Sequence, residues 1–413
     1  MLARIIEIVI NGNERDGMLS LKGIMFFLAC ALLAQTAVAA DPQSIYQESA
    51  TALYNLDFST AQHGYETLTQ DYPENPDYWN ALASSVWLKI IYDQQKLNIE
   101  SFSGRASFGT RESKDAVNAG DEKHLRDTVA TAMAKAGAML QKNPNDVRAL
   151  YALGISNATL ASFESTIKRA YLTAHGKAKA ARDLHQRVLK LDPTFDDARM
   201  SIGTYDYVIG VLPSVFRFLL APFGVRGAGK EAGIRQLETA AAKGKMNSTD
   251  ARMVLTVVYN REKKYDEALR LLNELHAKYP RNFLFEMAKA TIYEKMKEGD
   301  QAVRVYEEVL GKVQRKQDGY ERLRAAKVHY SLGTSNVNRY QFEKAAEDFE
   351  RVVSSGDASP DEKAGAHLWL GKIFDSKKER AKALEQYDLV LNLDCDPGLK
   401  EEAQRYKRRA YGQ

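Results

Sequence analysis

The chain reads as all-α, a solenoid of stacked helical hairpins, on three observations. The stretch 255–280, LTVVYNREKKYDEALRLLNELHAKYP, carries two apolar patterns of helical spacing joined by a tight polar turn. Variants of that stretch recur along the chain on a beat of 34 residues or on a stretched version of it. Nothing in the chain reads as a sheet. In the reference stretch, Leu255 and Tyr259 mark one face of the first helix. Ala268, Leu272 and Leu275 mark one face of the second, and Pro280, lacking the N–H that another turn would need, stops it. One hairpin cannot bury its own apolar face, so copies must stack to build a core.

With the frame started at residue 249, Leu255, Tyr259, Ala268, Leu272 and Pro280 fall where the tetratricopeptide (TPR) repeat asks for Leu, Tyr, Ala, an aromatic and Pro, with Leu272 standing in for the aromatic. The chain therefore resembles the TPR family. That resemblance implies a right-handed superhelix of about eight repeats that binds protein or peptide on the concave face formed by the first helices.

Taken in order, repeat one, about 42–75, has Phe58, Ala61, Tyr65, Leu68 and Pro73. Repeat two opens on time with Trp79, Leu82, Ala83 and Val86, but its second helix waits until 122–141, before Pro144. Repeat three opens at Leu153-Gly154 and closes late with Ala181, Val188, Leu191 and Pro193. No strong break separates its two helices, so each is expected to be longer by about two turns. Repeat four opens with Ile202, Gly203 and Tyr205, and its second helix, 231–242, is also late. Repeats five to eight keep time: after the 249 frame come Tyr293, Ala302 and Tyr306; Leu332-Gly333, Phe342, Ala345 and Phe349; and Leu370-Gly371, Phe374, Ala383 and Tyr387. A charged last helix, 398–411, suits the open end of a solenoid. The expected organisation is a leader at 1–39, N-terminal repeats over 40–248, and C-terminal repeats with their capping helix over 249–413.

The three insertions, at about 93–121, 160–178 and 208–230, all lie between the first and second helix of their repeats. Equivalent turns of neighbouring repeats share an edge, so the three are expected to meet as one inserted lobe. The third is the most apolar: residues 208–225 contain one charge, Arg217. It is too short to span a bilayer. Pro213 and Pro222 are expected to bracket a short helix. The segment reads first as an apolar plug under the other insertions. Otherwise it lines a cavity for a lipid or apolar small ligand, or rests peripherally on a membrane. Candidate binding residues there are Tyr205, Tyr207, Phe216, Arg217, Phe218, Leu219, Phe223 and Arg226.

Residues 205–237 also resemble the family of the inclusion-body clearance and tetratricopeptide-repeat-39 proteins, in an apolar proline-containing segment, Phe223-Gly224, a Gly-rich turn and the helix from Gly233 to Leu237. The resemblance implies an interaction protein near lipid, without catalysis. By architecture and compartment the chain is also similar to the TPR accessory component of TRAP-type transporters.

A short basic start at 18–22, an apolar run from Gly23 to Leu33, and Ala37-Val38-Ala39 read as a secretory signal cleaved near Ala39. Met18 is the expected start of translation. The compartment is then periplasmic or extracellular. Cys30, after Leu28-Ala29, supplies the alternative of an outer-membrane lipoprotein. Without Cys30 only Cys395 remains, so no internal disulfide is expected.

Composition points to no chemistry. Net charge is +4 over 413 residues, too mild and dispersed for a nucleic-acid partner. Gly224 to Lys230 has the spacing of a phosphate-binding loop, but Glu231 stands where Ser or Thr would hold Mg²⁺ and no strand precedes it. The seven histidines lie apart, so no metal or cofactor is expected. His185 falls in a slot the repeat fills with an aromatic ring and is expected to be packed in the core. No Gly-x-Ser-x-Gly elbow occurs and Cys395 lacks a nucleophile's surroundings, so no catalytic residue is proposed.

Overall fold

A computed structural model describes residues 41–94, 96–97, 117–215, 218, 221 and 224–412. Residues 1–47 and 48–413 are separate compact units. The described part of the first is only the start of helix α1 (Pro42–Tyr54). The second is all-helical. After α1 come α2 (Phe58–Asp71), α3 (Pro76–Asp93), α4 (Ala119–Lys142), α5 (Val147–Thr166), α6 (Tyr171–Leu191), α7 (Arg199–Gly210), α8 (Lys230–Lys243), α9 (Ser248–Arg261), α10 (Tyr265–Lys278), α11 (Phe283–Lys295), α12 (Gly299–Gln314), α13 (Ala325–Asn338), α14 (Phe342–Ser354), α15 (Pro360–Ser376), α16 (Arg380–Asn392) and α17 (Pro397–Arg408). From α2 on, each helix packs on the next, and first helices also touch across repeats, α3 on α5 and α13 on α15. This is the paired-helix solenoid of a TPR protein. The cap helix runs from Pro397 to Arg408, not to 411, because Arg409 turns extended.

Three devices repeat along it. Pro73, Pro144, Pro193 and Pro280 each stand two residues past the end of a second helix. The turn inside the hairpin places a left-handed residue two before the second helix: Leu56, Arg169, Lys263, Lys297, Tyr340 and Lys378, with φ between 53° and 65°. Six non-glycine residues in that region, none of them branched at Cβ, show that the hairpin, rather than local preference, dictates the conformation. Each second helix also presents a fully buried alanine to its partner: Ala61, Ala132, Ala181, Ala240, Ala268, Ala302, Ala345 and Ala383 are at most 1% exposed. A larger side chain there would force the helices apart.

Repeat three keeps the standard turn at Arg169, so its extra length lies in α5 and α6 themselves, 20 and 21 residues long. In repeats two and four the residues two before the second helix, Val117 and Ala228, are not left-handed.

Candidate functional site

The base of the fourth-repeat lobe is built by glycines. A Cβ on Gly203 would lie 2.7 Å from the Gly233 carbonyl, and one on Gly210 would lie 2.3 Å from the Lys230 nitrogen. Helices α7 and α8 therefore meet backbone to backbone, and the chain leaves at Gly210 and returns beside it at Lys230. Asp206, buried at this crossing, accepts from Arg182 Nε at 2.8 Å and from the Ala228 amide at 3.1 Å. Arg182 also stacks over the Tyr205 ring, 5.3 Å from its centroid. The Gly-rich turn thus wraps a carboxylate of the protein's own.

Lys230 is likewise engaged. Its Nζ lies 2.7 Å from Glu262, which also accepts from the Tyr207 hydroxyl at 3.0 Å. Burial pushes the Glu262 carboxyl up, but the Lys230 and Tyr207 hydrogen bonds outweigh it and hold the pKa below its ordinary value. The same burial and the Glu262 contact raise Tyr207. An amide and the ammonium that a phosphate would need are therefore already committed. An open depression of about 490 Å³ beside Lys230, Glu231, Arg261 and Glu262 is the space that remains.

The long hairpin of repeat three leans on this base. Ala178 packs against the cluster of Tyr205, Ile209 and Val225, joined by Leu212. The His175 and Tyr205 rings are 5.9 Å apart, and burial, with Lys179 nearby, lowers the His175 pKa. On the other side of α5, the start of α4 is tied in. Arg126 donates to Glu122 at 2.9 Å and to Glu164 at 2.8 Å, and Lys168 donates to Glu122 at 3.1 Å.

Of the candidate binding residues, Tyr205 and Tyr207 are each 5% exposed, so they serve the core and offer no surface. Arg226 is exposed. Phe218 is 80% exposed. Phe216, Arg217, Leu219 and Phe223, with parts of the expected 213–222 helix, lie outside the described residues, as do Cys30 and the signal. The apolar-plug expectation falls largely on residues outside the described ones; among those described, Ile209 and Val225 are buried, and Val208, Val215 and Phe218 face solvent.

Sequence reasoning missed a second junction. The turn of the first hairpin rests on repeats five and six. Asn282 Nδ2 donates to the Tyr54 carbonyl at 2.7 Å, and the Arg281 amide donates to Asn55 Oδ1 at 3.1 Å. Arg322 donates to the Leu56 carbonyl, and the Tyr54 and Tyr279 rings stand 5.0 Å apart. The one available signal was Asn55 and Asn282, amides placed just outside helices, which the structure buries.

Elsewhere, His185 is packed in the core. His185 is stacked on Tyr151, with centroids 4.9 Å apart, and its Nε2 meets the Tyr151 carbonyl at 3.0 Å. Nε2 must then carry the proton, leaving Nδ1 to accept from Ser201 Oγ at 2.7 Å. Burial pushes the Cys395 thiol up, away from a reactive thiolate. Among the described residues no group of three or more His, Cys, Asp or Glu could hold a metal ion. No helix there is long and apolar enough to cross a membrane.

The comparisons with known proteins fit this geometry. The family model described as Iml2/Tetratricopeptide repeat protein 39 matches residues 139–360, more than half of the chain and the whole lobe base. A tetratricopeptide repeat model matches residues 330–399. No curated protein matches. Among solved structures, the yeast Tom70 is 13% identical, over 90% of this chain and 89% of its own, with a TM-score of 0.36. The human IFIT1 dimer with m7Gppp-AAAA is 13% identical, over 90% and 84%, with a TM-score of 0.42. A tetratricopeptide repeat protein from Parabacteroides merdae is 14% identical, over 85% and 99%, with a TM-score of 0.29.

Proposed function

The chain belongs to the Iml2/Tetratricopeptide repeat protein 39 family, and on that premise we propose that it is an exported, non-catalytic scaffold that holds a protein or peptide partner. The reading rests on one observation. The first hairpin is fastened to repeats five and six by Tyr54, Asn55 and Leu56, so the first helices between them line a surface bounded at both ends. On α9, Leu255 and Tyr259 are buried in the core, Val257 is half-buried against the edge of the same core and Arg261 is exposed; on α11, Thr291 is half-buried beside the buried Ile292. A rigid, half-apolar inner face of this kind suits an extended segment whose ordering entropy the scaffold offsets through many small contacts.

Photo-crosslinkers at Val257 and Thr291 test it, with Glu274 on the outer helix as control. A discrete adduct from the two inner positions alone is expected. Equal labelling from Glu274, or none from either inner position, would remove the proposal. Export is tested separately: the mature chain should begin at Ala40, Ala39→Leu should leave the leader attached, and Cys30→Ser should change nothing. A lipid-modified chain beginning at Cys30 would replace this reading with membrane anchoring.

The alternative is a periplasmic accessory protein of a transporter that takes an apolar small ligand or lipid in the lobe at 208–225. The exposed Val208, Val215 and Phe218 favour a surface over an enclosed cavity.

A further inference from the structure

The contact between the first hairpin and repeats five and six closes a circuit in the chain. Its bonds join residues 226, 228 and 266 apart: the Arg281 amide to Asn55, Asn282 to the Tyr54 carbonyl, and Arg322 to the Leu56 carbonyl. Arg281 also lies 3.6 Å from Asp57. A solenoid otherwise joins each repeat to its neighbours only. The circuit runs through repeats one to five and shuts at this seam.

Both lips of the seam are held without it. Asn282 caps α11. The connection between α12 and α13, which carries Arg322, is anchored in repeat six by the fully buried Tyr320. Tyr320 donates to Glu286, which also meets Lys312 Nζ at 2.7 Å. Gly319 of that connection, at φ 86°, lies so close to the next turn that a Cβ would fall 2.3 Å from the Arg281 carbonyl. On the other lip, the Phe58 ring packs on Tyr92 of α3, with centroids 5.2 Å apart.

The bonds across the seam join groups that water can satisfy. Guanidinium groups, carboxamides, a carboxylate and backbone carbonyls meet there, so parting them leaves each with water in place of its partner. An obligate contact is built the other way, from apolar surface. Tyr54, paired with the Tyr279 ring, also hydrogen-bonds Asp250 on α9. Closing therefore takes a carboxylate out of water, which works against the bonds that hold the seam. Opening asks little of the rest of the fold, because a slight rotation at each interface between repeats one and five sums to a gap. We propose that the seam between Tyr54, Asn55 and Leu56 and residues Arg281, Asn282 and Arg322 is a clasp, which parts to let an extended partner segment reach the first helices from the side and closes over it. The admission of a partner rests on the scaffold reading; the opening does not.

Single-molecule fluorescence transfer tests it, with dyes on His63→Cys and Gln317→Cys in the full chain carrying Cys30→Ser and Cys395→Ser. Both labelled positions are exposed, one on each side of the seam. A main high-transfer population is expected, with a second, at lower transfer, of about 1–10%. Asn282→Asp with Arg322→Ala should raise the open-to-closed ratio about tenfold or more, and Asp250→Asn should lower it, with helicity unchanged. A single population insensitive to both variants would overturn the proposal. So would a low-transfer state that appears only with lost helicity, because the hairpin would then be unfolding. Admission is read with the photo-crosslinker at Val257: bridging the two cysteines with a bismaleimide should cut the adduct at least tenfold. An undiminished adduct would overturn entry through the clasp. If the unbridged chain gives no adduct, the scaffold reading fails and admission with it, while the transfer populations still decide whether the seam opens.

Discussion

The imidazole of His185 is seated on Gly154, and a Cβ added to the glycine would fall 2.1 Å from its Nε2. The same relationship recurs in repeats seven and eight, where Cβ atoms on Gly333 and Gly371 would fall 2.7 Å from Phe349 and 2.4 Å from Tyr387. The histidine thus does the work of an aromatic ring. Gly154→Ala would gain up to about 1 kcal/mol in an exposed helix. Here the ring cannot leave, being bonded at both nitrogens, so the substitution is expected to cost about 1–3 kcal/mol net of that gain. Chemical denaturation checks it, and a stabilised variant would show that the ring is free to move.

Acid should expose His185. Burial holds its pKa at about 4, against an ordinary 6.5, with the Tyr151 carbonyl opposing. The fold favours the neutral ring, so its contribution is present above pH 6.5 and is lost as pH falls from there through 4. His185→Phe should flatten the loss of melting temperature between pH 6.5 and 4.5, whatever its effect at neutral pH. Parallel curves for the two proteins would contradict this.

Asp250 should behave in the opposite sense. Burial raises its pKa to about 6, opposed by a hydrogen bond from Tyr54. A carboxyl shifted upward favours the fold when protonated. Its contribution is therefore complete below 3.8 and disappears as pH rises through 6. Asp250→Asn is expected to stabilise by about 1–2 kcal/mol at pH 7.5, roughly half the full linkage value for a partly solvated group. At pH 4 it should have no effect. Stabilisation of equal size at both values would rule out titration as the cause.

Asn282 fastens the first hairpin while capping α11, accepting from the Leu284 amide at 3.0 Å. Asn282→Asp keeps the cap and turns an oxygen toward the Tyr54 carbonyl. Hydrogen exchange should quicken at residues 48–60, as for the loss of about 1–2 kcal/mol of local stability. Amides of α13 onward should be unaffected. Uniform quickening would mean that the junction supports the whole solenoid.

The hairpins were legible because each is specified within about 34 residues. Pro73, Pro144, Pro193 and Pro280 end helices for a reason carried by the proline itself. Ala268 and its counterparts mark a close approach that any stacked pair requires. The candidate site was legible only in part. Tyr205 and Tyr207 are apolar and aromatic in sequence, and nothing local says that both turn inward while Val208 turns out. Asp206, between them, organises the lobe base by reaching Arg182 on another repeat.

What the sequence determined alone is the unit and its count: a 3.6-residue apolar period, a stop, and a repeat. What only the tertiary structure decided is which repeats meet out of turn, as Tyr54 and Asn282 do across a separation of 228 residues. That meeting depends on small rotations summed from repeat to repeat. The glycine crossing at Gly203 and Gly233, and the lengthened α5 and α6, set those rotations through packing that no single repeat encodes.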